Sequence, residues 1–210
     1  MTPSTSAVAA RLKKIVKALR RARLGILLAA AAYIAAVLVG IAMVHAGNGF
    51  AVRYRDRLVS HANATTAISK ALQNNRAKTA AALDFSGNLA GGIASTAAGY
   101  WAPAVFPIAI YRGWVGGIVS VDGKHRSRFA TWPEASYYMA VMCLQLLPYI
   151  LAGGAGVNIG LARVRPVGDY AGAKFFGVPR EAWIDAARIY VLVVPLFAIA
   201  SAFEFPASPN

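Results

Sequence analysis

The sequence predicts an all-α fold, a polytopic transmembrane helix bundle with about five membrane segments. Hydrophobic residues make up 58% of the chain and charged residues only 14%, whereas soluble domains average about 45–50% and about 25%. The charged residues also avoid the apolar stretches and gather in the segments between them. So much apolar surface needs lipid to cover it.

The N-terminal segment, residues 1–24, is basic and contains no acidic residue. Its alternation of basic and apolar residues is typical of an amphipathic helix that lies at the membrane surface. We expect its partner to be the anionic headgroups of the bilayer. By the positive-inside tendency, the N-terminus is expected in the cytoplasm. Residues 25–210 then form the transmembrane domain.

Apolar stretches of about 20 residues are long enough to cross the hydrocarbon core. The predicted spans are residues 25–46, 83–100, 104–121, 136–161 and 184–203. Trp101, Pro103 and Pro107 break the middle stretch, so residues 104–121 form either a span or a re-entrant segment. Two crossings in this stretch put the N-terminus and the basic loop 163–182 on one side of the membrane, which fits the charge bias. A single crossing leaves four spans.

Glycines four residues apart occur in three of the predicted segments. Small residues at this spacing share one helix face and let two backbones approach closely. Together with the AGGAG run at 152–156, they predict a tightly packed bundle, and a dimer or partner interface is the alternative. The candidate packing glycines are Gly87, Gly91, Gly113, Gly117, Gly153, Gly156 and Gly160.

Polar side chains inside the predicted spans are the candidates for a functional site, because ionisable groups are costly at membrane depth. These residues are Asn88, Arg112, Gln145, Asn158 and Glu204. Hydrogen bonding between helices is the alternative role for the three amides. For Arg112, the options are pairing with Glu134 or Asp122, binding of a lipid phosphate, or reaching the interface with its long side chain.

Several classes of protein are disfavoured by what the sequence lacks. It contains no HExxH, P-loop or GxSxG motif, and its three histidines are scattered. We therefore expect no catalytic residue, no cofactor and no metal site. The net charge of +14 would suit nucleic acid, but the interleaving of aromatic and basic residues that stacks bases is missing. Cys143 is the only cysteine, so no intrachain disulfide forms.

The second half of the chain resembles the stage II sporulation protein M family of multi-span membrane proteins. The resemblance covers about residues 84–209 and depends on the order of glycine-rich motifs more than on any single one. The motifs are DFSGNLAGGIASTAAG at 84–99, YRGWVGGIVSVDG at 111–123, LPYILAGGAGVNIGLA at 147–162 and ARIYVLVVPLFAIASAFEFPASP at 187–209. One departure is clear: where the family carries a His and a Glu ahead of the AGGAG run, this chain has Val141 and Gln145.

The resemblance implies a multi-pass protein of the plasma (inner) membrane. It further implies a scaffold or assembly subunit without enzymatic activity, linked to remodelling of the cell envelope. Its partners would be other membrane or envelope proteins, or a second copy of the chain. The alternative function is a transporter or channel-like permease with a site near Arg112, because discontinuous helices often build binding sites near the bilayer midplane.

Overall fold

The computed structural model describes residues 5–164, 170 and 172–205. These residues form seven α-helices and a two-stranded hairpin, which confirms the all-α class. The helices are α1 (Thr5–His45), α2 (Gly49–Thr65), α3 (Ala67–Gln73), α4 (Ala77–Ala98), α5 (Val105–Ile118), α6 (Trp132–Val164) and α7 (Arg180–Glu204). A 3₁₀ turn, Ala102–Ala104, precedes α5, and the antiparallel strands are β1 (Lys174–Phe175) and β2 (Val178–Pro179).

The basic segment and the first apolar stretch form one continuous helix, α1, rather than a surface helix followed by a span. No proline interrupts α1, and its small residues stay helical because they pack directly against neighbouring helices. A helix of 41 residues is about 60 Å long, roughly twice the thickness of the hydrocarbon core. Its basic first half therefore extends beyond the apolar layer.

In the described part of the chain, three helices are long and apolar enough to cross a membrane: Ala9–His45, Trp132–Val164 and Arg180–Glu204. These candidates agree with a membrane protein, but a count of five spans is not confirmed. The predicted span 83–100 corresponds to α4, which begins earlier, at Ala77, and carries Lys78 and Asp84. The predicted span 104–121 corresponds to α5, whose 14 residues measure only about 21 Å, less than the core thickness.

Helix α6 is central and contacts α1, α4, α5 and α7. Helices α4 to α7 alternate in direction, and α1 runs antiparallel to α6, since Gly25 faces Gly154 while Val37 packs with Met142. The bundle thus has two ends. We call them the α2 end, with α2, α3 and residues 119–131, and the hairpin end, with β1, β2 and the first turns of α7.

A stripe of mostly small residues on α1 packs into the bundle, and large apolar side chains such as Leu27, Leu38 and Val39 point outward, as in helices that face lipid. The repeat of three to four residues marks one helix face. The buried residues of this stripe are Ala18, Ala22, Gly25, Ala29, Tyr33, Ala36, Val37, Gly40 and Val44.

The glycines of the predicted packing pairs lie in three kinds of surroundings. Gly113 and Gly117 lie directly against the α1 backbone at Tyr33 and Val37. Gly156 and Gly160 lie against the α4 backbone at Thr96 and at Gly99. A side chain at any of these four positions would push two helices apart.

The remaining three glycines make no such contact with a neighbouring backbone. Gly153 faces the side chains of Val105 and Ser95, which lie 3.2 Å and 3.4 Å from where its Cβ would be. Gly91 faces the guanidinium group of Arg112, for which it leaves room. Gly87 faces open space, because a Cβ there would meet no atom within 4 Å.

The contrast between Gly156 and Gly87 provides a matched test of this packing. A Cβ on Gly156 would lie 2.8 Å from the carbonyl oxygen of Thr96 and 2.9 Å from its Cα, so α4 and α6 must separate. We expect Gly156→Ala to lower the free energy of unfolding by about 1–3 kcal/mol. Gly87→Ala should cause no loss, since Ala favours helix over Gly by up to about 1 kcal/mol. Unfolding of both variants in one detergent measures the difference, and equal behaviour would contradict the packing described here.

Candidate functional site

A chain of hydrogen-bonded polar side chains crosses the middle of the bundle. The Arg112 guanidinium donates through Nη1 to the Tyr149 hydroxyl, which donates to Oδ1 of Asn88 at 2.8 Å. The Nδ2 of Asn88 donates to Asp84 at 2.8 Å, and the Ser201 hydroxyl donates to the same carboxylate oxygen at 2.7 Å. Four helices, α4, α5, α6 and α7, each contribute to this chain.

Local packing explains why Arg112 points into the bundle. Gly91 on α4 has no side chain in the space that the guanidinium occupies. The ring of Tyr149 lies beneath the guanidinium, with its centroid 4.3 Å from Cζ, an arrangement that favours a cation. Phe197 packs edge-on against the same ring at 4.8 Å between centroids. Tyr149 lies near the centre of the 33-residue helix α6. The cluster is therefore about halfway between the two ends of the bundle, a position we call mid-depth.

Arg112 makes no ion pair within the part of the chain that the structure describes. Pairing with Glu134 or Asp122 was one of the options for Arg112, and Asp122 instead binds Arg126 at 2.7 Å in the loop at the α2 end. Glu134 lies in the first turn of α6, well away from mid-depth. The polar partner of Arg112 is a neutral hydroxyl, that of Tyr149, so most of its N–H donors are left for other acceptors.

These donors border a cavity of about 360 Å³ between α4, α5 and α6. Asn88, Tyr111, Gln145 and Tyr149 supply its other polar groups, and Arg112 is the one charged residue that lines it in the described part of the chain. A second cavity of about 390 Å³ adjoins it towards the α2 end. The two share Gly116, Val119, Met142 and Gln145 as lining residues, so they are neighbouring parts of one cleft.

The outer part of the cleft carries Arg55, Arg128 and Glu204. Glu204 accepts a hydrogen bond from Nε2 of Gln145, so two of the residues predicted from the sequence meet here. Arg55 is buried and donates to the carbonyl oxygen of Val121 at 3.2 Å. Across the whole cleft, arginines outnumber carboxylates, which favours negatively charged ligands.

A contact outside the spans holds α2 over this end of the cleft. His125 lies 2.9 Å from an oxygen of Asp56, and Arg55 donates to the same oxygen at 3.0 Å. The hydrogen bond from His125, followed by that from Arg55, lowers the pKa of Asp56. In the loop, backbone and side-chain hydrogen bonds from Arg126 lower the pKa of Asp122 to about 2, so this carboxylate is ionised at neutral pH.

Asn158 does not belong to this cleft, although the sequence placed it among the same candidates. It is buried towards the hairpin end, where its Nδ2 donates to the Tyr170 hydroxyl at 2.8 Å. Sequence reasoning missed Asp84, Tyr149 and Ser201. The spacing of Asp84 and Asn88, four residues apart on one helix face, was a usable signal for Asp84. Tyr149 and Ser201 gave none, because their roles depend on which helices meet.

Within the described residues, no group of three or more histidine, cysteine or acidic side chains is placed to hold a metal ion. Comparison with family models, with curated proteins and with solved structures gave no match. The resemblance to the stage II sporulation protein M family therefore stays a prediction from the sequence.

The hydroxyl of Tyr149 is the link on which the polar chain depends. Tyr149→Phe keeps the ring under Arg112 but leaves the guanidinium and Asn88 without their shared partner. We expect the free energy of unfolding to fall by about 1 kcal/mol. Tyr137→Phe on the same helix is the control, since Tyr137 is half-exposed and stacks on Phe203 through its ring. Thermal unfolding in detergent compares them, and a fully stable Tyr149→Phe variant would show that the chain adds nothing.

Proposed function

We propose that this chain is a membrane permease subunit that binds a small organic anion at Arg112. One observation carries the proposal: Arg112 lies at mid-depth beside a cavity, with a neutral tyrosine rather than a carboxylate as its partner. An unneutralised cation inside a bundle is costly. An anionic ligand supplies the missing negative charge at the moment it binds.

The direction of the hydrogen bonds supports an anion rather than a cation. Arg112 donates to Tyr149, Tyr149 donates to Asn88, and Asn88 donates to Asp84. The acidic group of this chain of hydrogen bonds, Asp84, thus lies at the far end from Arg112. The part of Arg112 that faces the cavity offers N–H donors only. A carboxylate or phosphate group accepts from such a donor set, and arginine binds both in a bidentate manner.

The shape of the cleft supports passage towards the α2 end. The inner cavity continues into the outer one at Gln145, and Arg55 and Arg128 line the outer part. Cations along a cleft raise the local concentration of anions.

The volume of the inner cavity, about 360 Å³, is at the lower end of the range for small-molecule sites. It suits a short mono- or dicarboxylate or a small phosphate ester. The apolar lining residues Val115, Val119 and Leu146 favour a ligand with a hydrocarbon portion beside its charged group. A nucleotide or a peptide would be too large.

Ligand protection of the purified protein tests the proposal. The probes are succinate, lactate and inorganic phosphate, with choline as a cation of similar size. A ligand at about 100 times its Kd should stabilise the folded protein by about 2.7 kcal/mol. We expect protection by at least one anion and none by choline. Arg112→Gln should weaken that anion at least tenfold, or about 1.4 kcal/mol.

Two variants control this experiment. Arg112→Lys keeps the charge but loses the planar donor fork, so its affinity should fall between those of the wild type and Arg112→Gln. Arg53→Gln removes an exposed charge of α2 that lines neither cavity, and it should bind normally. No protection of the wild type by any of the three anions, or equal protection of Arg112→Gln, would refute the proposal. Uptake of the protecting anion into proteoliposomes then separates a permease from a binding protein.

A second candidate is the non-enzymatic scaffold or assembly subunit of the plasma membrane that the family resemblance implies, with the N-terminus in the cytoplasm. The direct backbone contacts at Gly117 and Gly156 favour it, because they make a rigid frame with little room for helix movement. Helix α2 also presents the exposed Phe50, Arg53 and Arg57 beside the bundle. Crosslinking in native membranes followed by purification should then recover a stoichiometric partner, whereas recovery of the free protein alone in several detergents would argue against it.

A further inference from the structure

A cluster of buried charges connects α1 to α7 at the hairpin end, far from Arg112. Arg21 donates to Asp185 through Nε at 2.6 Å and through Nη2 at 2.7 Å, and it also reaches Glu181 at 3.0 Å. Arg188 binds both acids, at 2.6 Å and 2.8 Å. The side chain of Asp185 is fully buried. Two arginines and two carboxylates thus neutralise one another.

The cluster takes one cation from α1, Arg21, and its two positive and two negative charges balance. Arg21 has only 7% of its side chain exposed and is held firmly, which sets the rotation of α1. That rotation turns the neighbouring face of α1 towards a groove of about 880 Å³ between α1 and the last turns of α6. Asn158 and Leu161 form the α6 side of the groove.

The groove combines positive charge with apolar surface. Its basic lining residues are Lys13, Lys17, Arg20, Arg21 and Arg23, and among the described residues no acidic side chain lines it. Leu12, Val16 and Leu24 also line it, and each is more than half exposed. Exposed leucine side chains are unfavourable in water. A surface with leucines beside arginines suits a molecule that is charged at one end and apolar at the other.

The apolar surface continues along α1 into the membrane. Leu24, Leu27 and Leu28 follow one another at helical spacing on the face that carries Arg20 and Arg23, and all three are exposed. The uncharged stretch of α1 begins at Leu24, so the groove lies where headgroups meet the hydrocarbon layer. A ligand with its charge at Arg20 and Arg23 would thus extend its apolar part along these leucines.

We propose that this groove is a binding site for one anionic phospholipid. Lys13, Arg20 and Arg23 bind the phosphate and the negatively charged headgroup, and an acyl chain lies along Leu24, Leu27 and Leu28. The neutral cluster around Asp185 holds α1 so that these cations converge on the groove. The site is separate from the cleft at Arg112 and does not depend on the function proposed for that cleft.

Native mass spectrometry of the full chain in detergent tests the proposal, with phosphatidylglycerol, phosphatidylcholine or inorganic phosphate added. We expect one retained phosphatidylglycerol per chain and no comparable retention of phosphatidylcholine. The variant K13Q/R20Q/R23Q should lower the retained phosphatidylglycerol about tenfold or more, since each lost cation weakens anionic-lipid binding severalfold. Leu24→Asn should lower it as well, because it removes the contact with the acyl chain.

The control is R53Q/R57Q/K70Q, which removes the same number of exposed charges from α2 and α3 and should retain the lipid. Arg112→Gln should retain it too, which keeps this test independent of the anion site. Equal losses in the two triple variants would overturn the proposal, because binding would then follow net charge alone. Full retention by K13Q/R20Q/R23Q would also overturn it. Displacement of the lipid by millimolar phosphate would overturn it in favour of a site for free anions.

Discussion

The bundle depends on the small side chains of α6 between Leu151 and Gly160. Every residue in this run is buried, because α1, α4 and α7 pack around it. In a membrane, helices gain little from exclusion of water and associate through close packing and hydrogen bonds instead. Gly154 and Gly156 allow that packing, since the α1 backbone at Ile26 and the α4 backbone at Thr96 lie where their side chains would be. The positions of the other helices follow from these contacts.

The sequence of α6 also explains where the cleft lies. Helix α6 changes character along its length, from glycine and alanine near the hairpin end to Met142, Gln145, Leu146 and Tyr149 nearer the α2 end. The larger side chains hold α4 and α5 away from α6, and the two cavities lie in the resulting gaps. Glycine thus lies where α1 and α4 touch α6, and larger side chains of α6 line the cleft.

Hydrophobic run length was enough to predict the all-α class and three helices that are long and apolar enough to cross a membrane. It did not separate these from α4 and α5, which were also predicted as spans. It could not show that α1 continues through its basic segment, since a surface helix and an extended span share one pattern. Arg112, Gln145 and Glu204 were identified from their polarity in apolar surroundings. The contact between Gln145 and Glu204, and the position of Asn158 at the opposite end, depend on helix rotation, which spacing alone does not determine. Nothing in the sequence distinguishes Tyr149 from other aromatic residues. Its hydroxyl joins Arg112 to Asn88 only because α4, α5 and α6 meet there.

Arg21 and Arg112 differ in how the fold neutralises their charge. Arg21 meets a fully buried carboxylate through two nitrogens and shares it with Arg188, so the fold itself completes its electrostatics. Losing either partner would strand a charge, and gaining a ligand would add nothing. Arg112 is also held in place, by the Tyr149 ring and by the space at Gly91, yet its partner is neutral. In the function proposed above, the negative charge that balances Arg112 comes from a ligand, and the adjoining cavity is the place for it.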